Sequence, residues 1–135
     1  MPKHCIQIDS DTAANKTITK SLLEKSNIVC WTNYGRAGLF GLGQKWEDTV
    51  AFKEKFAEFQ LYFIEKTIDN IEYGEIVHKN MKFNHYFFKI EGAVKDFISQ
   101  EGPIPVGNGF WDPIYYHDED IVAITIAHEG VIKFY

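Results

Sequence analysis

The stretch WEDTVAFKEKFAEFQLYFIEKT, residues 46–67, decides the fold because its apolar residues repeat with the period of an α-helix. Four phenylalanines fall at positions i, i+4, i+7 and i+11, namely Phe52, Phe56, Phe59 and Phe63. At 3.6 residues per turn this spacing places the four rings on one face, with the charged residues mostly on the other faces. Burying each ring contributes about 1.5 to 3 kcal/mol, so such a helix needs a partner layer. We therefore predict a long amphipathic helix over residues 46–67.

Polar residues at the start of this stretch suit the first turn of a helix. Asp48 and Thr49 have side chains that accept hydrogen bonds from the free amides of a helix N-terminus. Glu47 and Asp48 add negative charge where the helix dipole is positive. We expect Asp48 or Thr49 to be the N-cap.

The remaining segments predict a mostly antiparallel sheet that covers the helix. Apolar, β-branched and aromatic residues favour strands in CIQID (5–9), NIVCWTNY (27–34) and HYFFKI (85–90), an interrupted strand in IEYGEIV (71–77), and a C-terminal β-hairpin in IVAITIAHEGVIKFY (121–135). Apolar spacing in AVKDFISQ predicts a short second helix over about residues 92–100. DTAANKT (11–17) is typical of a polar loop, ITKSLLE (18–24) fits a strand or a helical turn, and PIPVGNGFWDPIYY (103–116) is typical of an ordered loop. The predicted fold class is α+β.

Length and composition predict one soluble domain spanning residues 1–135. The chain has 135 residues, of which 45% are hydrophobic and 16% aromatic, which favours a packed core over disorder. No stretch has the apolar run of a signal peptide or a membrane span. The two cysteines, Cys5 and Cys30, are interpreted as buried, reduced thiols. These features predict a cytoplasmic protein.

The charge is concentrated in the second half of the chain. Residues 61–135 contain six Lys or Arg and twelve Asp or Glu, and the net charge of the whole chain is −5. A negative surface repels phosphate backbones and anionic membranes and attracts basic proteins. We therefore expect a basic protein partner, and neither a nucleic-acid nor a membrane partner.

Catalytic, metal and cofactor signatures are missing from the sequence. The five histidines have no paired spacing for a metal, and no serine has the context of a hydrolase nucleophile. The acidic run after His117 lacks the spacing of a calcium loop. We expect no catalytic residue, no metal ligand and no cofactor. An enzyme with an unrecognised site stays open, because acid–base pairs of carboxylates meet in space rather than in sequence.

One part of the chain resembles a WGR domain, a small module associated with nucleic acids. The likeness covers residues 16–91 and consists of WTNYGRAG (31–38), Gly43 and Gln44, the amphipathic helix, and KFNHYFFKI (82–90). Tyr34 occupies the position of the tryptophan in the family's name, ahead of Gly35 and Arg36. The resemblance implies that Tyr34 and Arg36 contact nucleic acid or a neighbouring domain. It provides the alternative function, a WGR-like nucleic-acid-binding module.

Aromatic and acidic residues lie side by side late in the chain, and this combination predicts a partner-binding surface. The candidates are Trp111, Asp112, Tyr115, Tyr116, Asp118, Glu119 and Asp120. Tryptophan and tyrosine are favoured at interface hot spots, and acids beside them suit a partner's lysines and arginines. In type, a small acidic binding protein of this kind resembles the immunity proteins with which bacteria neutralise toxins, many of them nucleases. The leading hypothesis is therefore a non-enzymatic inhibitor that occludes a basic partner.

Overall fold

The computed structural model describes residues 3–8, 12–34, 43–77 and 81–135. The helices are α1 (Thr12–Lys25), α2 (Val50–Phe59) and α3 (Gly92–Glu101), and the strands are β1 (His4–Gln7), β2 (Ile28–Asn33), β3 (Phe63–Asp69), β4 (Ile71–Glu72), β5 (Glu75–Ile76), β6 (Phe83–Lys89), β7 (Trp111–His117), β8 (Asp120–Ile126) and β9 (Val131–Phe134). The predicted α+β fold class is confirmed, and so is the short helix near residues 92–100.

Seven of these strands form one sheet in the order β1-β9-β8-β7-β2-β6-β3. Every neighbouring pair is antiparallel. The predicted C-terminal hairpin is β8 and β9, and the first strand lies at one edge of the sheet beside β9. Strands β4 and β5 form a separate two-stranded hairpin.

The three helices cover one face of the sheet. Alternation along the strands places one set of side chains toward the helices and the other set on the opposite face. The larger core contains Leu22 from α1, Phe52 and Phe59 from α2, and Val94 and Ile98 from α3, packed against sheet residues. A smaller cluster on the opposite face contains Cys30, Ile114 and Ile124, with Tyr73 of the β4–β5 hairpin packed against it.

Trp31 is the centre of the larger core. Its side chain is 0% exposed, and its indole Nε1 donates a hydrogen bond of 2.9 Å to the carbonyl oxygen of Pro105. Four phenylalanine rings lie with their centroids between 5.7 and 6.1 Å from the indole: Phe59, Phe88, Phe97 and Phe110. A buried indole is stable only if its N–H has an acceptor, so Pro105 fixes the ring in the core.

The predicted helix over residues 46–67 is wrong at its C-terminal end. Thr49 is the N-cap and accepts a hydrogen bond from Phe52 N, and the α-helix then ends at Phe59. A 3₁₀ turn follows, and Phe63 begins β3, whose residues pair with β6. The ladder with β6 and the β-branched residues of FIEKTID favour a strand. Phe63 still packs on Phe56, with ring centroids 5.1 Å apart, so the phenylalanine cluster forms although a strand supplies its last ring.

Three further predictions need correction. Residues 12–17 of the predicted loop and the undecided segment 18–24 belong to the helix α1, which packing of the fully buried Leu22 stabilises; residue 11 lies outside the described residues. The loop predicted over 103–116 ends at Phe110, and Trp111–His117 is the strand β7 in the interior of the sheet. Cys5 is exposed because β1 is an edge strand, whereas Cys30 is 1% exposed. Within the described ranges, no helix is long and apolar enough to cross a membrane.

Candidate functional site

The residues predicted to bind a partner lie at opposite ends of β7. Trp111 and Asp112 are at the start of this strand, and Tyr116 is near its end, next to the acids of the β7–β8 turn. A strand rises about 3.3 Å per residue, so the two groups are roughly 20 Å apart. The single surface suggested by the sequence is therefore two separate places on the molecule.

Tyr115 belongs to neither place. It is 0% exposed, and its hydroxyl donates a hydrogen bond of 2.7 Å to the carbonyl oxygen of Pro103. Burial raises the pKa of Tyr115 well above its usual value, so the phenol is neutral. Alternation along β7 points this side chain toward the helices, which removes it from any surface that a partner contacts.

The acidic turn, defined as Asp118, Glu119 and Asp120, connects β7 to β8 and is exposed. Asp118 adopts a positive φ of 54°. Asn27 fixes this conformation, because its Nδ2 donates to Asp118 Oδ1 at 2.8 Å and its Oδ1 accepts from Asp118 N at 2.7 Å. Within ion-pair distance, the described residues bring one basic side chain to the turn, the imidazole of His117, whose Nδ1 lies 3.6 Å from Asp118 Oδ2. The turn is thus a negative surface in a defined conformation.

The other end of β7 opens onto a pocket of about 400 Å³, here named the aromatic pocket. Its lining residues are Tyr34, Tyr73, Val106, Trp111, Asp112, Ala127 and His128. They come from the end of β2, the β4–β5 turn, the loop before β7, the start of β7 and the turn after β8. Sheet topology is therefore what assembles the pocket.

A β-bulge aims Asp112 into this pocket. Between the pairs Cys30–Ile114 and Thr32–Trp111, strand β7 has one residue more than β2. Asp112 lies in the bulge with a φ of 47°, and Pro113, which lacks an N–H, follows it at a position where the ladder is interrupted. Bulges commonly redirect a side chain next to a functional site, and here the redirected group is a carboxylate.

Asp112 is 6% exposed, and two neutral donors bind its carboxylate. The hydroxyl of Tyr34 donates to Oδ2, and the backbone N–H of Ala127 donates to Oδ1 at 2.7 Å. In the part of the chain that the structure describes, no lysine, arginine or histidine nitrogen lies within ion-pair distance of this carboxylate. Among the described residues, the groups that solvate this negative charge are therefore neutral dipoles.

Two tyrosines of the pocket are neutral at physiological pH. Burial and then the hydrogen bond to Asp112 raise the pKa of Tyr34 well above its usual value. Burial and the charge of Asp112 raise the pKa of Tyr73 as well. The Tyr73 hydroxyl lies 3.4 Å from His128 Nδ1, and Tyr73 has a φ of 53° in the β4–β5 turn. The phenols therefore act as hydrogen-bond donors and apolar walls.

Trp111 forms a further wall of the aromatic pocket. Its ring is half-buried and contacts Trp46 edge to face, with centroids 6.1 Å apart. The loop that precedes Trp111 is held by buried side chains, since Trp31 bonds Pro105 and Asn33 Nδ2 donates to Gly109 O at 3.1 Å. These contacts confirm that residues 103–110 are an ordered loop, and they fix the start of β7.

A second polar chain crosses the sheet from β2 through β6 to β3. Thr32 Oγ1 lies 3.1 Å from His85 Nδ1, and His85 Nε2 lies 2.8 Å from Asp69 Oδ1. Asp69 Oδ1 also accepts a hydrogen bond of 2.9 Å from Ile71 N. The order of hydroxyl, imidazole and carboxylate is that of a catalytic triad, but Thr32 is 2% and His85 5% exposed, and no substrate reaches a hydroxyl so deeply buried. We interpret the chain as a structural link between β2, β6 and β3.

The residues of the alternative nucleic-acid site are only partly described. Tyr34 is half-buried with its hydroxyl bound to Asp112, and Arg36 lies outside the described residues. Among residues 3–8, 12–34, 43–77 and 81–135, no group of three or more His, Cys, Asp or Glu side chains is arranged to hold a metal ion. The aromatic pocket contains the Asp112 carboxylate, neutral hydrogen-bond donors and aromatic rings, which is a combination suited to binding a cation.

Sequence reasoning named Tyr34, Trp111 and Asp112 for two different functions, and the structure places them in one pocket. It missed Tyr73, Val106, Ala127 and His128. The Tyr73–Gly74 pair marks a turn in the sequence, but nothing in the pattern indicates that this turn lies over β7 and β8. Comparison with family models, with curated proteins and with solved structures finds no match for the chain.

Proposed function

We propose that this protein is a non-enzymatic binding protein that inhibits a basic protein partner by covering it, as bacterial immunity proteins do with toxins. One observation supports the proposal above the others. Strand β7 has negative charge at both ends, Asp112 at its start and the acidic turn at its finish, and no lysine or arginine of the described residues neutralises either charge. Unneutralised acids beside half-buried aromatic rings suit a cationic interface.

Occlusion follows from simple electrostatics. A nuclease or similar toxin binds phosphate in a positively charged cleft, and carboxylates held in a fixed conformation occupy such a cleft in place of phosphate. Asp118, Glu119 and Asp120 are exposed, and Asn27 fixes the turn that presents them. Tyr116, which is half-buried beside the turn, adds an aromatic anchor at the same end of β7. Such charges raise the association rate, which then falls as salt is added.

Charge reversal of the acidic turn tests the proposal. The chain with Asp118→Lys, Glu119→Lys and Asp120→Lys is used as bait in the native host, beside the unchanged chain and a matched control. The control carries Glu54→Lys, Asp96→Lys and Glu101→Lys, which are exposed acids on the helices. The expected result is one basic protein retained by the unchanged chain and the control and lost by the turn variant.

Salt dependence and an inhibition assay complete the experiment. Affinity for the retained protein is expected to fall at least tenfold between about 50 mM and 300 mM salt, since screening shortens the reach of exposed charges. The purified partner's activity is expected to stop when the chain is added. Equal retention by the turn variant, or salt-independent affinity, contradicts the proposal. Retention on DNA or RNA that depends on Arg36 supports the WGR-like alternative in its place.

A further inference from the structure

The carboxylate of Asp112 is nearly buried, and its charge has no described cation beside it. Burying a carboxylate is costly unless it is paired or fully hydrogen-bonded. The Tyr34 hydroxyl donates one hydrogen bond to Oδ2, and Ala127 N donates one to Oδ1. A carboxylate accepts about four hydrogen bonds, so the two described here leave roughly two acceptor positions on a side chain that lines the pocket. A cationic ligand with N–H donors is the group that would complete this arrangement.

Three aromatic rings line the space in front of the carboxylate, those of Tyr34, Tyr73 and Trp111. A cation near the face of such a ring is attracted by its quadrupole, most strongly at tryptophan. The raised pKa values keep both phenols protonated, so neither phenol adds a second negative charge to the pocket. The pocket therefore combines one negative charge with rings that favour a cation, in a volume of about 400 Å³ that accommodates a long side chain.

The geometry favours guanidinium over ammonium. Two open acceptor positions on one carboxylate match the paired N–H groups of a guanidinium, whereas an ammonium is a compact point charge. A guanidinium also stacks on aromatic faces and is more weakly hydrated, so transferring it from water costs less. The pocket's apolar residues, Val106 and Ala127, are suited to the aliphatic stem of an arginine.

Strained backbone at the pocket supports a binding role. Among the described residues, four other than glycine have a positive φ, and two of them, Tyr73 and Asp112, line the pocket. Such conformations are uncommon in residues other than glycine, and they occur at ligand sites as well as in turns. Here the two strained residues are the ones that present a ring and the carboxylate to the same space.

We infer that the aromatic pocket is a binding site for a guanidinium group, namely the side chain of an arginine on the basic partner. The identity of the source as a partner protein rests on the proposed function, whereas the chemistry of the pocket does not. Asp112 is the counter-ion, and Trp111, Tyr34 and Tyr73 surround the cation.

A titration with small probes tests the inference without a partner. Amide spectra of the full chain are recorded while N-acetyl-arginine methylamide, its lysine equivalent or the uncharged citrulline isostere is added. The arginine probe is expected to shift the Trp111 indole and the Ala127 amide saturably in the millimolar range. The lysine probe should bind more weakly, and the citrulline probe should cause no saturable shift. Equal shifts from citrulline, tighter binding of lysine, or no shift from arginine overturns the inference.

Variants separate the pocket from the general negative charge of the protein. Asp112→Asn removes the charge and keeps a residue that tolerates a positive φ, so the arginine probe should bind at least tenfold more weakly. Trp111→Leu provides an independent test on a half-buried residue and should also weaken binding. Asp96→Asn, the same charge change on the exposed surface of α3, should leave binding unchanged, and equal weakening by this control overturns the inference.

The two proposals fail in different experiments. If the probe does not bind but the basic partner is retained through the acidic turn, the guanidinium site is wrong and the proposed function stands. If the probe binds at the pocket but no basic partner depends on the acidic turn, the site stands and the proposed function is wrong. If the natural ligand is a free guanidinium compound and not a partner's arginine, the arginine probe should bind the pocket although no basic protein is retained by the chain.

Discussion

The hydroxyl of Tyr34 donates a hydrogen bond to Oδ2 of Asp112, which joins the end of β2 to the bulge of β7. The two residues are 78 positions apart in the sequence. Among the lining residues that the structure describes, Asp112 has the only carboxylate. The bulge turns this carboxylate into the pocket, and the contact with Tyr34 determines its position there. Stability of the β2–β7 junction and the shape of the candidate site are therefore linked.

Removal of this hydroxyl should destabilise the protein. Tyr34→Phe leaves Oδ2 of a nearly buried carboxylate without its donor, so we expect the free energy of unfolding to fall by about 1 to 3 kcal/mol. Urea denaturation followed by circular dichroism measures the change. Tyr135→Phe, at the chain end where the side chain is 37% exposed, is the control and should change stability by less than about 0.5 kcal/mol. Equal stability of Tyr34→Phe and the unchanged chain would show that the contact contributes nothing.

A glycine at the start of α3 should resist substitution. Gly92 has a φ of 49°, and a Cβ at this position would lie 1.9 Å from the Tyr62 hydroxyl oxygen. Gly102 at the other end of α3 has a φ of 100°, but a Cβ there meets nothing within 4 Å. Gly102 combines φ 100° with ψ −166°, a region essentially restricted to glycine, so we expect Gly102→Ala to cost about 1 to 3 kcal/mol from backbone strain alone. Gly92→Ala should add to its own backbone strain at least about 1 kcal/mol from the overlap.

A double variant distinguishes overlap from strain at Gly92. Shortening the neighbouring side chain in Gly92→Ala/Tyr62→Leu removes the overlap and leaves the backbone strain. Thermal unfolding should therefore show a smaller loss from Gly92→Ala in the Tyr62→Leu background than in the unchanged chain. An equal loss in both backgrounds would mean that the ring moves aside without cost.

Local patterns predicted the parts of the fold that depend on local chemistry. The phenylalanine spacing predicted a cluster that Phe52, Phe56 and Phe59 form from one helix. It misplaced the helix end, because Phe63 fits the same stripe whether a helix or a strand supplies it. Helix α1 was missed since its polar face resembles a loop, and its stability comes from packing of Leu22, which a sequence pattern does not show.

The candidate site depended on information that the sequence does not contain. Trp111 and Asp112 were identified as interface residues from their types, and Tyr34 from the WGR resemblance. Their meeting depends on β7 pairing with β2, a contact across about 80 residues that periodicity does not predict. Because Trp111–His117 is an extended strand, Tyr116 and the acidic turn lie at the end of β7 opposite to Trp111 and Asp112, although the two groups are close in the sequence.

The two thiols should differ in reactivity under native conditions. Cys5 is exposed on the edge strand, whereas Cys30 is 1% exposed, and burial followed by the charge of Asp69 raises its pKa well above the usual value. Since the thiolate is the reactive form, we expect a thiol reagent to modify one cysteine rapidly and the second only after urea is added. Cys5→Ser should abolish the rapid phase. Two rapid modifications per chain would contradict the buried position of Cys30.

Several tyrosines should make the protein sensitive to alkali. Burial raises the pKa of Tyr116 to about 12, and it also raises the pKa values of Tyr34, Tyr86 and Tyr115 above their usual range. Between about pH 10, where an unfolded tyrosine ionises, and the higher folded values, the folded state keeps protons that the unfolded chain releases. The stabilising contribution is therefore complete below about pH 10 and is lost as the pH rises through the folded values.

Urea denaturation at about pH 8 and pH 10.5 should show lower stability at the higher pH, and phenolate absorbance should rise together with unfolding. Tyr116→Phe should reduce this loss, because it removes one of the protons concerned. Phenolate formation by these tyrosines in a chain that stays folded would contradict the burial that raises their pKa values.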